Sequence, residues 1–169
     1  MDHPAVRYLF VIGTAAFLQY TLFTQFRIAG VSADLLLVVA IGAGIVAGAE
    51  RGAIVGFACG LCLDLLVTTP FGLGAISGLV AGVVAGLLEG ATVHSARWLT
   101  SVIAFLSSAA GVLTFAIAGS LLGRSDMLSL HVFTILAVVG ASSALLVFPV
   151  VRVCRWADPE DLLLRAAVR

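Results

Sequence analysis

From Trp98 to Leu122, and again from Leu130 to Val151, the chain carries no Asp, Glu, Lys or Arg. At about 1.5 Å per residue, each stretch coiled as a helix is long enough to cross a hydrocarbon core of about 30 Å. The rest of the chain has the same character: 62% of residues are hydrophobic and 11% charged. A soluble domain would carry roughly a quarter of its residues as charged groups. Lipid must therefore be the solvent for much of this surface. The expected class is an all-α integral membrane protein. The net charge of +0 gives no argument for nucleic acid or for an acidic substrate.

Short polar breaks divide the sequence into six apolar runs: 8–26, 34–49, 52–68, 73–88, 98–122 and 130–151. This predicts a compact bundle of six transmembrane helices over 1–157, with 158–169 as a tail. The first run lacks a small-residue cleavage pattern at its end, so it reads as a retained helix. The second to fourth runs are short, and need flanking residues, tilt or a thinned bilayer to cross. A hairpin entering and leaving by one face is the alternative for that region, although Glu50-Arg51 and Thr69-Pro70 do not resemble buried backbone. All nine basic residues are arginine. Six crossings put Arg7, Arg51, Arg97, Arg152, Arg155, Arg165 and Arg169 on one side, against Arg27 and Arg124 on the other. Positive charge retained in the cytoplasm then places both termini there.

Glycine recurs at every fourth position twice: Gly44, Gly48, Gly52, Gly56 and Gly60, then Gly74, Gly78, Gly82, Gly86 and Gly90. Residues four apart share a helix face, and glycine there lets a second backbone approach closely. The stripes either pack neighbouring helices of this chain or receive a partner's transmembrane helix. A short echo accompanies them, Val46-Ala47-Gly48 with Gly52-Ala53 returning as Val84-Ala85-Gly86 with Gly90-Ala91.

Asp64 is the one carboxylate well inside an expected span, about a turn from its outer end. An acid at that position is a candidate anchor for the outer loop, a partner contact, or a proton or ligand site. Asp34 heads the second run, where the helix dipole favours an acid. Cys59 and Cys62 have a C-x-x-C spacing, but in an apolar, glycine-rich run rather than at the polar helix start that activates a thiol. They read as packing residues. Thr69-Pro70-Phe71-Gly72 suits a tight turn between the third and fourth runs.

Beyond the last run, Arg152, Arg155 and Trp156 form an interfacial belt. Asp158-Pro159-Glu160-Asp161 spells a helix start. Leu162, Leu163, Ala166 and Ala167 would take one side of that helix, and Asp161, Arg165 and Arg169 the other. Such an amphipathic helix lies on the membrane surface or docks a cytoplasmic protein, and Glu50 and Arg51 share that face as docking candidates. There is no nucleophile–base grouping, metal-ligand spacing or phosphate loop, so the expectation is a protein without catalytic residues, metal or cofactor.

Ala33-Asp34-Leu-Leu-Leu through Glu50-Arg51-Gly52, then Gly56-Phe57, Gly60-Leu61-Cys62-Leu63-Asp64-Leu65-Leu66, and Thr69-Pro70-Phe71-Gly72 with Gly74-Ala75, resemble the bacterial rod shape-determining MreD family. Where that family often has proline before the second span, this chain has Ser32-Ala33-Asp34. The resemblance implies a non-enzymatic scaffold of the elongation (Rod) machinery in the bacterial inner membrane. Its implied partners are an MreC-like single-pass protein and, beyond it, RodA, a class B penicillin-binding protein and MreB filaments. The implied role is support of lateral peptidoglycan synthesis and regulation of cell shape. The same family is similar to the substrate-binding membrane components of energy-coupling-factor vitamin transporters, which supplies the alternative function. Those components dock through an A-x-x-x-A face on their first helix, absent from Tyr8–Phe26.

Overall fold

The structure, a computed structural model of the 169-residue chain, describes residues 4–23, 27–28, 31–32, 34–66, 72–91, 97–121 and 131–158. Helix α1 (Pro4–Leu18) passes into a π-helical segment, Gln19–Phe23. Two-residue strands β1 (Arg27–Ile28) and β2 (Val31–Ser32) pair antiparallel, with Arg27 opposite Ser32. Then follow α2 (Leu35–Leu66), α3 (Leu73–Ala91), α4 (Arg97–Leu121) and α5 (His131–Ala157). Apart from the short ladder the described elements are helical, so the all-α class holds. Among the described residues, four helices are long and apolar enough to cross a membrane: Leu35–Leu66, Leu73–Ala91, Trp98–Leu121 and Ile135–Ala157. The chain is a multi-pass membrane protein.

Helix α2 is not one rod. At Gly48 the backbone takes φ 83° and ψ 178°, a region that side-chain-bearing residues rarely enter. A Cβ built on Gly52 would lie 2.7 Å from the Cα of Gly44. On a straight helix those residues would stand about 12 Å apart along the axis. The chain therefore folds back at Gly48 into two limbs, α2a (35–47) and α2b (49–66). The break falls just ahead of Glu50-Arg51, which open the second limb.

Side-chain contacts fix the direction of each segment. The end of α1 meets the start of α2a, where the Leu35 amide donates to Gln19 Oε1 at 2.6 Å. Helix α3 runs antiparallel to α2b, since Gly56 faces Gly78 and Gly60 faces Gly74. Ser77 Oγ donates to the Gly111 carbonyl at 2.8 Å, joining α3 to α4. Gly140 of α5 lies against the Phe105 ring of α4. Arg7 of α1 returns to Trp156 at the end of α5. Six helical segments thus alternate in direction, and the two ends of the described chain meet at one end of the bundle.

Every residue from Leu36 to Val46 is buried. A helix apolar on all sides belongs in the middle of its protein, and α2a occupies that position. Its glycines allow close neighbours: a Cβ on Gly42 would sit 2.9 Å from Val150 Cγ1 and 3.2 Å from Cys154 Sγ. Outer faces are apolar too, with Phe10, Ile54, Leu65, Leu113 and Leu145 exposed, as lipid solvation requires.

Candidate functional site

The polar chemistry of the resembling segment gathers where α2b hands over to α3. Asp64, in the last turn of α2b, is only 3% exposed, so its carboxylate must find donors within the protein. It finds three. Oδ2 accepts from the amides of Gly72 at 2.9 Å and Ala75 at 3.2 Å, and Oδ1 accepts from the amide of Gly74 at 2.9 Å.

The reason lies at the head of α3. The Gly72 carbonyl accepts the first helical bond, from Ile76 at 3.0 Å, which makes Gly72 the N-cap. Glycine has no side chain to bond the free amides of the first turn. Asp64 supplies that missing group from the preceding helix, and its carboxyl oxygens face the positive end of the α3 dipole. Gly72 itself takes φ 101°. Gly74 must also be small, because a Cβ there would fall 2.5 Å from Asp64 Oδ1.

Below this cap the two glycine stripes meet each other. A Cβ on Gly60 would run into the Gly74 carbonyl and lie 2.7 Å from Ala75 Cα. One on Gly56 would lie 2.8 Å from the Gly78 carbonyl carbon. Gly52 and Gly82 touch in the same way, and Gly44 comes to the same turn of α3, its Cβ position 3.1 Å from the Gly86 amide nitrogen. A Cβ on Gly86 would stand 2.6 Å from the Gly48 carbonyl carbon. Lipid provides no hydrophobic drive between helices, so such backbone-to-backbone contact is what dispersion can use. Gly90 has no described residue within 4 Å of its Cβ position.

At the opposite end of the bundle, near the Gly48 turn, Glu50 is exposed. Arg51 Nη1 pairs with Asp158 Oδ2, and Asp158 is fully buried. Its other oxygen, Oδ1, has no hydrogen-bond partner among the described residues. The Asp158 amide bonds the Cys154 carbonyl at 3.0 Å, which closes α5. Arg7 Nη1 donates to the Trp156 carbonyl at 3.3 Å, and its guanidinium stands 5.5 Å from the Trp156 ring centroid. One hub therefore joins α1, the α2 turn and the end of α5.

A second polar link lies at the Asp64 end. Asp34 Oδ1 accepts from the Leu37 amide at 3.1 Å, the bond of an N-cap. Gln19 accepts from the Leu35 amide and donates to Asp34 Oδ1 at 3.4 Å. The glutamine opens the π-helical segment and reaches the head of α2a.

Sequence spacing had no means of pairing Arg51 with Asp158, or Gln19 with Leu35, because each pair joins different helices. Polar side chains at apolar-run ends were the available signal. Pro70 and the tail residues Asp161, Arg165 and Arg169 lie outside the described residues. Cys59, Cys62 and Cys154 are free thiols, and Cys59 and Cys154 are buried. Comparison of the chain with protein-family models, curated proteins and solved structures finds no match.

Proposed function

We propose that this chain is a non-enzymatic scaffold of the bacterial inner membrane, acting in the elongation machinery in the manner of the MreD family it resembles. One observation carries the reading. Residues 33–75, which hold the resemblance, build α2 and the head of α3, and their distinctive members act on one another. Asp64 holds Gly72, Gly74 and Ala75, while Gly60 receives Gly74. Chemistry devoted to fixing a hairpin suits a docking block, whose work is to present a constant surface.

In this reading the six alternating segments are six crossings with both termini cytoplasmic. The arginine count supports that orientation, since Arg7, Arg51, Arg152 and Arg155 belong to the end where α1 begins and α5 finishes. Glu50, Arg51 and the tail would then face cytoplasmic partners, and an MreC-like single-pass protein would pack within the bilayer. RodA, a class B penicillin-binding protein and MreB filaments complete the proposed assembly.

The test is co-purification of the full chain from its host membranes. Recovery of an MreC-like protein with wall-synthesis enzymes supports the scaffold. Recovery of paired ATPases together with a vitamin overturns it in favour of a transporter component. Orientation is read separately with membrane-impermeant thiol labelling of Ser125→Cys and Glu160→Cys. Ser125→Cys should react in intact cells and Glu160→Cys only after permeabilisation; the reverse pattern overturns the orientation.

A further inference from the structure

The last turns of α5 carry an outward surface of cations and one aromatic ring. Arg152, Arg155 and Trp156 are all exposed there. At about 100° and 1.5 Å per residue, the three lie within about 100° of one another around the helix, and the two arginines differ in height by about 4.5 Å. Arg7 of α1 brings a third guanidinium to this surface, 5.5 Å from the centroid of the Trp156 ring. Leu145, Phe148 and Pro149 are exposed on the same side of α5, one to two turns nearer the middle of the helix.

The acids at this end of the bundle are placed elsewhere. Asp158 is buried and paired with Arg51, Glu50 opens α2b, and Glu89 belongs to the last turn of α3. Among the described residues, neither Arg152 nor Arg155 has a hydrogen-bond or ion-pair partner. The face shared by α5 and α1 therefore carries positive charge that the described acids leave uncompensated.

The vertical order of groups on this face matches that of a phospholipid. A guanidinium offers forked donors that suit phosphate oxygens. The indole N–H of Trp156 lies at the height of the glycerol esters when the arginines meet the phosphate layer, and tryptophan favours that layer. Leu145, Phe148 and Pro149 then meet the acyl chains. A zwitterionic headgroup presents an ammonium beside its phosphate and gains little from the excess charge. An anionic headgroup gains all of it.

We propose that the Arg152–Arg155–Trp156 face of α5, with Arg7 of α1, is a binding site for an anionic phospholipid. The proposal requires only that the bundle stand in a bilayer. It is independent of the scaffold role and of which end is cytoplasmic.

The experiment uses the full chain with Trp98→Phe, which leaves Trp156 as the sole tryptophan; Trp98→Tyr, with excitation selective for tryptophan, serves if that variant fails to fold. The protein is reconstituted in phosphatidylcholine vesicles containing equal fractions of phosphatidylglycerol or phosphatidylcholine brominated near the headgroup, and the ratio of quenching gives relative affinity. Phosphatidylglycerol should be preferred at Trp156 by about three- to tenfold at low salt. Arg152→Gln with Arg155→Gln should reduce the preference to less than about twofold, as should about 1 M sodium chloride. A control reporter, Leu121→Trp in a chain also carrying Trp98→Phe and Trp156→Phe, sits at the exposed far end of α4 and should show no preference. Equal quenching by the two lipids at Trp156 overturns the proposal. So does a preference that survives the double substitution, or one that is the same at Leu121→Trp. Glu160 and Asp161 follow in the chain outside the described residues. If they, or an acidic protein segment, are the true counter-ions, Trp156 reports no lipid preference and the proposal fails.

Discussion

Asp64 Oδ1 accepts a hydrogen bond from the Gly74 amide at 2.9 Å, at a place where any β-carbon on residue 74 would fall 2.5 Å from that oxygen. The acid and the glycine require each other. Asp64→Ala leaves three amides at the head of α3 without this acceptor, and the bonds from Gly74 and Ala75 are buried. The expected loss is about 3 kcal/mol, combining a lost cap with unsatisfied buried donors. Asp64→Asn keeps one acceptor oxygen and should lose about half as much. Equilibrium unfolding in mixed detergent micelles checks both; equal stability of Asp64→Ala and the parent would remove the cap from the account.

The glycine positions divide into contact and open sites, which makes alanine substitution a direct test. Gly60→Ala places a methyl group against the Gly74 carbonyl and should destabilise by about 2 kcal/mol through forced separation of α2b and α3. At Gly13 no described residue lies within 4 Å of the Cβ position, and Gly13→Ala should be neutral or stabilising by about 0.5 kcal/mol. Thermal melts of both variants read the contrast, and indistinguishable midpoints would contradict it.

Arg51→Ala strands the buried Asp158 carboxylate. A fully buried pair would lose about 3–5 kcal/mol on such truncation. The Arg51 side chain is 40% exposed, and solvent screening reduces the expectation to about 2 kcal/mol. Arg51→Met with Asp158→Leu should recover most of that loss, because no charge is then buried alone. A double-mutant cycle measured by unfolding gives the coupling; additive losses would mean that the pair contributes nothing.

Gln19 offers a charge test at the other end. Gln19→Leu removes the acceptor of the Leu35 amide and should destabilise by about 1 kcal/mol. Gln19→Glu restores an acceptor but sets a carboxylate beside Asp34, so at neutral pH it should be the less stable of the two. The opposite ranking in an unfolding series would show that the carboxamide does not bridge these groups.

Much of this architecture was legible in the residues, for physical reasons. Uncharged runs as long as Trp98–Leu122 have few alternatives to a membrane helix, and α4 occupies that run almost end to end. Four-residue glycine spacing requires close helix contact wherever it falls. It gives no partner: each stripe could have met a foreign helix, and the described contacts bring Gly56 to Gly78 and Gly60 to Gly74. The turn between the second and third runs was visible as Glu50-Arg51, but its mechanical pivot is Gly48, identified by a positive φ that sequence does not display.

The sequence by itself determined the solvent, the helical class and the face of each helix able to approach another closely, because these follow from side-chain polarity and 3.6-residue periodicity. Tertiary structure alone decided which polar groups serve which helix. Asp64 caps α3 from α2b, Gln19 reaches the head of α2a from α1, and Arg51 neutralises Asp158 at the end of α5. Those pairings join residues from different segments, and only the alternation of six helical segments brings them within hydrogen-bonding distance.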